Sequence, residues 1–151
     1  MQSAISKHTM KILHTIEQIR RELRKKRAAK QAIGFVPTMG YFHHGHISLM
    51  EKAKSENDIV VVSIFVNPTQ FSPEEDYESY PKDLDKDSKM ANEAGVDYIF
   101  NPNSDEMYPH GFQTSVDVEN LSKLMCGKKR VSHFQGVTTI VLKLFNVVEP
   151  D

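Results

Sequence analysis

Three histidines lie close together in a short segment between two apolar stretches, at His43, His44 and His46. Gly40 and Gly45 stand beside them, and glycine lets a backbone approach a ligand without a Cβ in the way. The spacing of His43 and His46 can aim both imidazoles into one pocket near the start of a helix. Imidazolium groups there could hydrogen-bond phosphate oxygens and offset charge growing on a departing pyrophosphate. The segment therefore indicates a phosphate site, at a helix start whose own N–H groups attract anions.

Two other interpretations of these histidines stay open at this point. They could be loop histidines without a special role, as lone histidines usually are. They could also hold a metal ion, although no acidic or cysteine residue lies next to them in the sequence. The pairing of His43 with His46, beside glycine at a strand-to-helix turn, favours the phosphate site over both.

A second polar segment follows the next apolar stretch. Asn67 and Gln70 are neutral amides within the sequence Asn-Pro-Thr-Gln-Phe. Amides suit the hydroxyl and carboxylate oxygens of a small polar substrate. The alternative is a plain turn capped by Asn-Pro. The acidic residues that follow, Glu74, Glu75 and Asp76, are more typical of a solvated loop than of magnesium ligands.

Buried strands must position these two segments. Almost continuous apolar and β-branched runs predict strands at residues 32–37, 58–66 and 96–100. Apolar residues at helical steps predict a helix before each strand. The first helix is predicted from Ile12, Ile16, Ile19 and Leu23, and the others at 46–55 and 82–94. In the third, the core-facing residues are Leu84, Ala91 and Ala94. The alternation predicts an α/β fold with a parallel sheet, right-handed crossovers and ligands at its carboxyl edge.

The rest of the chain is less regular. Residues 114–118 alternate like an exposed strand, and residues 121–125 resemble a helical turn. Residues 137–148 are apolar and β-branched, which favours a strand by propensity alone. Their length and the spacing of their apolar residues favour a buried helix instead, and we predict a helix there.

Composition excludes several classes of function. The net charge is −1, so no global basic field points to nucleic acid or to an anionic membrane. The basic run at residues 20–27 lies on the predicted first helix and is interpreted as its solvated, cation-favouring end. A single cysteine, Cys126, permits no intramolecular disulfide and fits a reducing compartment. No stretch is apolar enough for a signal peptide or a membrane span, so we expect a cytoplasmic protein.

Read together and in order, these motifs resemble the pantothenate synthetase family. They comprise Pro37-Thr-Met-Gly40, His43-His-Gly-His46, Phe65-Val-Asn-Pro-Thr-Gln-Phe71, Glu75-Asp76, Tyr80-Pro81, Met107-Tyr-Pro109, His133-Phe-Gln-Gly-Val137 and Lys143-Leu-Phe-Asn146. A lone His-x-Gly-His marks only the wider nucleotidyltransferase superfamily, whereas the ordered set is specific to this family. The resemblance covers residues 10–151 and implies a Rossmann-like sheet with helices on both faces.

The resemblance also implies the chemistry. ATP, with Mg²⁺ held mainly by its phosphates, adenylates the carboxylate of pantoate, and β-alanine then displaces AMP to give pantothenate. His46 would be the catalytic proton donor, and His43 its partner on the phosphates. The implied ATP site is Met39, Gly40, Tyr41, Phe42, His43, His44, Gly45 and His46. The implied site for pantoate and β-alanine is Pro37, Thr38, Met39, Asn67, Gln70, Tyr80 and His133. The family also implies a homodimer.

Two departures from the family pattern matter. His44 stands where the family usually has an acidic residue, and Tyr41-Phe42 replaces a smaller pair. The sequence also stops before the family's Phe-Gly-x-Lys-Asp and Ser-x-Arg segments and before its carboxyl-terminal lid domain. We therefore expect residues 10–151 to be a truncated nucleotide-binding domain. Residues 1–9 would be a native extension or a remnant of cloning.

Two further hypotheses about function stay open. The chain could be another adenylyl- or cytidylyltransferase with the same histidine segment, although the Asn-Pro-Thr-Gln-Phe sequence argues against this. It could also be a nucleotide-binding or dimerising fragment without turnover of its own.

Overall fold

The computed structural model describes residues 9–72, 75, 77–130 and 132–151. Residues 1–8, which make up most of the expected amino-terminal extension, lie outside the described residues. The same holds for Glu74 and Asp76 of the acidic segment.

Four parallel strands form a single sheet. They are β1 (Lys11–Leu13), β2 (Ile33–Thr38), β3 (Ile59–Ile64) and β4 (Tyr98–Phe100). Their order across the sheet is β1-β4-β3-β2. All six residues of β3 are buried, as expected for a central strand covered on both faces. The register pairs Thr38 of β2 with Ile64 of β3, so the two strands end level with each other at the carboxyl edge.

Helices cover both faces of the sheet. They are α1 (Ile16–Ala28), α2 (His44–Glu56), α3 (Leu84–Glu93), the single turn α4 (Ser104–Met107) and α5 (His133–Val148). Ile19 of α1 and Leu144 of α5 belong to the core on one face, and Met50 of α2 and Ala91 of α3 to the core on the other. The predicted fold class, a Rossmann-like parallel sheet between two helical layers, is confirmed. In the described parts of the chain, no helix is long and apolar enough to cross a membrane.

The predicted start of the first helix is wrong. Ile12 lies in β1 and pairs with Ile99 of β4. The helix begins four residues later because Thr15 caps it: the Thr15 hydroxyl accepts the N–H of Gln18 at 3.2 Å, and the Gln18 side chain accepts the N–H of Thr15 at 3.1 Å. This reciprocal capping box ends the extended chain and starts the helix.

Of three predictions for the second half of the chain, only the strand is wrong. Residues 114–118 form no strand; instead the Val116 N–H donates to the Thr139 hydroxyl at 2.9 Å, and the Thr138 hydroxyl donates to the Val116 carbonyl at 2.6 Å. Side chains of α5 therefore take the bonds that a sheet would have supplied. The predicted helix over 137–148 is confirmed, and it starts at His133. The predicted helical turn at 121–125 appears as two 3₁₀ turns, Leu121–Lys123 and Met125–Lys128.

Candidate active site

The histidine segment forms a tight turn between β2 and α2, at the carboxyl edge of the sheet. We call residues 39–46 the phosphate turn. Gly40 and Tyr41 are both left-handed, with φ of 86° and 53°. A Cβ on Gly40 would lie 3.0 Å from both the Asp87 carboxylate and the Ile64 side chain, so glycine is needed there for space as well as for its backbone angle. The Thr38 hydroxyl ties the turn to β3, because it accepts the Gly40 N–H at 3.1 Å and donates to the Ser63 carbonyl at 2.6 Å.

A buried carboxylate of α3 binds the backbone of the phosphate turn. Asp87 is 1% exposed, and its two oxygens accept the N–H groups of Tyr41 and Phe42, each at 2.7 Å. Sequence reasoning missed this residue. The signal was present, since Asp87 lies between Leu84 and Ala91 at helical steps and therefore on the inner face of an amphipathic helix.

A second capping box starts α2 and holds the rings of His43 and His46 in place. Nδ1 of His43 accepts the Gly45 N–H at 3.1 Å, and Nδ1 of His46 accepts the His43 N–H at 3.3 Å. The ring centroids lie 4.1 Å apart. A Cβ on Gly45 would lie 2.9 Å from the His43 ring, so the glycine makes room for that ring. Since a backbone N–H can only donate, each Nδ1 must be an unprotonated acceptor, and each Nε2 carries the ring proton.

The electrostatics of His46 agree with a neutral ring. Burial lowers the pKa of His46 below its ordinary value, and the charge of His43 lowers it further, while the charge of Asp87 acts in the opposite direction. A lowered pKa keeps the His46 ring neutral at neutral pH, so His46 presents an Nε2–H donor. For His46 this differs from the imidazolium expected from the sequence, because its Nδ1 accepts a backbone N–H and its pKa is lowered.

His44, the third histidine, is exposed in the first turn of α2. In the described part of the chain its side chain makes no hydrogen bond. Its backbone N–H is likewise unbonded, so it can point to a ligand at the helix start.

The second polar segment forms a 3₁₀ turn, Pro68–Gln70, directly after β3. Gln70 is 9% exposed, and its Nε2 lies 3.1 Å from the Met39 sulfur. Met39 is the first residue of the phosphate turn, so it joins the two segments. The structure therefore places the predicted phosphate and substrate segments side by side.

Asn67 is buried, and its amide is fully used within the protein. Its Nδ2 donates to the Gln70 side-chain oxygen and to the Gly136 carbonyl, both at 3.1 Å. Its Oδ1 accepts the hydroxyls of Tyr108 at 2.7 Å and Thr69 at 3.1 Å. With both hydrogens and both lone pairs occupied, Asn67 holds the Gln70 amide in place and leaves Gln70 Nε2 as the donor that can meet a substrate.

His133 also supports Gln70, through the backbone carbonyl of Gln70. Its Nδ1 donates to the Gln70 carbonyl at 2.9 Å, and its Nε2 accepts from Arg130 at 3.3 Å. Arg130 itself donates to the same carbonyl at 3.3 Å. Sequence reasoning gave Arg130 and Tyr108 no role in the site, because side chains that act on a neighbour's backbone or amide leave no spacing pattern.

Tyr80 and the residues before the turn complete the predicted set. Tyr80 packs its ring against Phe71, with centroids 5.9 Å apart, and burial together with the charge of Asp87 raises its pKa. Pro37 and Thr38 are the last two residues of β2 and lead directly into the turn. The predicted site residues thus lie around one edge of the sheet.

A cavity of about 350 Å³ opens beside the phosphate turn. Its lining includes Met39, Gly40, Phe65, Lys82, Asp87 and Asn101. This volume lies in the range of small-molecule pockets. Within the described residues, no group of three histidine, cysteine or acidic side chains is arranged to hold a metal ion.

Comparison with known proteins gives this site a family. The family described as Pantoate-beta-alanine ligase matches residues 11–151. The chain belongs to this family. It is 56% identical to the pantothenate synthetase of Pelotomaculum thermopropionicum over 142 residues, which are 94% of this chain and 50% of that protein. It is 55% identical to the pantothenate synthetase of Thermotoga petrophila over 141 residues, 93% of this chain and 50% of that protein.

Solved structures agree with the sequence matches. The pantothenate synthetase of Thermus thermophilus has a TM-score of 0.85 and 49% identity, covering 93% of this chain and 50% of that one. The pantoate-beta-alanine ligase of Francisella tularensis, complexed with beta-gamma ATP and beta-alanine, has a TM-score of 0.87 and 45% identity. That match covers 94% of this chain and 54% of the other. The chain therefore spans about half the length of the relatives that it matches.

Proposed function

We propose that this chain forms the nucleotide-binding part of an enzyme that condenses pantoate with β-alanine at the expense of ATP. ATP adenylates the pantoate carboxylate and releases pyrophosphate, and the amine of β-alanine then attacks the acyl adenylate and releases AMP. The observation that carries the proposal is the meeting of the phosphate turn with Gln70 through Met39 at one sheet edge, in a chain whose family match runs through both segments.

The phosphate turn would hold the ATP phosphates. His43 and His46 present Nε2–H donors, and the His44 N–H lies at the start of α2, where the helix dipole favours negative charge. In this proposal His46 assists departure of pyrophosphate by donating a hydrogen bond from Nε2 to the oxygen that gains charge. A neutral donor needs no proton uptake before each turnover. The wider ATP site runs from Met39 to His46.

The substrate acid would lie against Gln70. Its Nε2–H can donate to a hydroxyl or carboxylate oxygen of pantoate and afterwards to β-alanine, since Asn67 fixes the opposite end of the amide. Met39 forms the shared wall between acid and nucleotide, with Pro37, Thr38 and Tyr80 at its border. His133 and Asn67 act by supporting Gln70.

The donor set of the turn fits an anion rather than a cation, because it consists of N–H groups. We therefore propose that Mg²⁺ enters with ATP, coordinated by phosphate oxygens and water. It would supply charge neutralisation on the phosphates. A cytoplasmic location and a homodimer belong to the same proposal, the first from composition and the second from the family resemblance.

The test is product formation in a protein extended to the full length of its relatives. We expect AMP and pantothenate to form only when ATP, pantoate and β-alanine are all present. His46→Ala should lower the rate of adenylation by about 10²–10³-fold, as loss of one preorganised donor does. His44→Ala is the matched control and should change the rate far less, because its side chain is exposed and unbonded. AMP release without pantoate, or equal losses in the two variants, would contradict the proposal.

A further inference from the structure

We propose that Asp87 is a positioning residue, which holds the phosphate turn in its binding shape from the neighbouring helix α3. This inference rests on the proposed function of the turn. It adds a residue that acts through the backbone of the turn, by accepting the N–H groups of Tyr41 and Phe42.

The contact is specific in its geometry. Each oxygen of one buried carboxylate accepts one of two consecutive N–H groups, Tyr41 and Phe42, at 2.7 Å. Bonds from N–H groups to a charged acceptor are shorter and stronger than neutral ones. The partners lie 46 and 45 positions apart in sequence, so the contact joins two separate elements.

The turn needs such a holder. Gly40 and Tyr41 are left-handed in succession, and for Tyr41, which has a Cβ, that conformation is unfavourable in isolation. His43, the first histidine of the pair, follows directly after the two bonded residues. A shift of the turn would therefore move the histidines relative to the phosphates, and a displacement of about 1 Å can cost about 10²-fold in rate.

Asp87 also acts on His46 through its charge. Burial and the charge of His43 lower the pKa of His46, and the charge of Asp87 is the influence that opposes them. Removing that charge should lower the pKa of His46 further. A carboxylate that only stabilised the fold would not need to affect this titration.

The same helix offers a matched control. Asp85 lies two residues earlier, in the first turn of α3, and is exposed. Among the described residues it makes no hydrogen bond to the phosphate turn. Asp85→Asn therefore removes the same charge from the same end of α3 without touching the turn.

The experiment compares Asp87→Asn with Asp85→Asn in the full-length enzyme. The side-chain oxygen of asparagine can accept one of the two N–H groups. Its amide nitrogen is a donor, so it cannot accept the other N–H group. We expect Asp87→Asn to lower kcat by about 10²-fold, with a much smaller change in the KM for pantoate. NMR titration should show a lower pKa for His46. Asp85→Asn should match the parent in all three quantities. An unchanged kcat and an unchanged His46 titration in folded Asp87→Asn would overturn the proposal.

A second measurement needs no variant and covers the case in which Asp87→Asn does not fold. Amide hydrogen exchange in the unsubstituted protein should show protected N–H groups at Tyr41 and Phe42, although the Tyr41 side chain is 48% exposed. Rapid exchange at both would overturn the proposal. Neither amide exchange nor the His46 titration depends on turnover. If the enzyme made no pantothenate, the proposed function would be refuted, and these two measurements would still test the role of Asp87.

Discussion

Each histidine of the pair uses its two ring nitrogens for different purposes. Nδ1 shapes the turn by accepting a backbone N–H, and Nε2 is left for a ligand. This division can be tested at His43, because asparagine places an acceptor near the position of Nδ1 and glutamine places a donor near that of Nε2.

The two substitutions at His43 should separate stability from activity: one should mainly lower the rate of adenylation and the other mainly lower stability. Asparagine is a good helix N-cap, so His43→Asn should keep the free energy of unfolding within about 0.5 kcal/mol and lower adenylation by about 10²–10³-fold. Glutamine is a poor cap, so His43→Gln should lose about 0.5–2 kcal/mol of stability and keep more of the activity. Urea denaturation and an AMP-release assay measure the two quantities. Parallel losses in both variants would show that the nitrogens have no separate roles.

At the scale of single residues, spacing predicted the groups that can meet a ligand and missed those that hold them. His43, His46 and Gln70 were found because their types and positions relative to predicted strands are chemical signals. Asp87 and Tyr108 were given no role in the site, since their partners lie about 40 residues or more away. Only the folded chain shows such contacts.

Between elements, α5 packs tightly against the 3₁₀ turn at Pro68–Gln70. A Cβ on Gly136 would lie 2.5 Å from the Thr69 carbonyl and 2.6 Å from the Gln70 nitrogen, both of which are backbone atoms. Gly136→Ala should therefore push helix and turn apart, with a loss of about 1–3 kcal/mol in stability and a raised KM for pantoate. Thermal unfolding and initial rates test this. Gln135→Ala, at the exposed neighbouring position, should change neither.

A second prediction at this scale concerns the ion pairs of Glu22, which connect α1 to β1. Glu22 accepts from Lys11 at 2.9 Å and from Lys25 at 2.8 Å, and the bonds to Lys25 and Lys11 lower its pKa to about 2. Because the pKa of Glu22 is lower in the folded state, its ion pairs stabilise the fold at pH values above about 4.5. This stabilisation is lost as the pH falls from about 4.5 to about 2. Both lysines are exposed, so the contribution should be only about 0.5–1 kcal/mol.

Glu22→Gln should remove this contribution at pH 7 and flatten the pH dependence of unfolding between about pH 4.5 and 2. Denaturant titrations across that range provide the measurement. Glu51→Gln, at an exposed position on α2, serves as the control. The idea fails if the two variants show the same profile.

At the scale of elements, long apolar runs were predictable and the short edge strand was not. Ile12 continues the helical spacing of Ile16 and Ile19, so the pattern assigned it to the helix. What makes it a strand is pairing with β4, and a three-residue strand carries too little periodicity to show this.

At the scale of the whole molecule, we make a prediction about turnover from the length of the relatives that this chain covers. It matches about half of their length, and the resemblance assigns further cationic groups to the other half. We expect residues 1–151 to fold and to bind pyrophosphate weakly, and to form pantothenate at least 10²–10³-fold more slowly than a full-length version. Calorimetry and product assays on both proteins test this. Comparable turnover would show that a complete site lies within these residues.

The order of the strands also determines when each part of the sheet can form during synthesis. β2 pairs with β3, whose first residue follows only 26 positions later, so the phosphate turn and α2 can assemble early. β1 pairs with β4 through Lys11 and Tyr98, and closing so long a loop is entropically slower. β1 leaves the ribosome before the other three strands of this sheet but is therefore among the last of them to be paired. Until residue 100 has emerged, seconds later at about 5–20 residues per second, the central sheet has an unpaired β3 edge. Asp87 emerges before β4 does, so the phosphate turn can be fixed while that edge is still open.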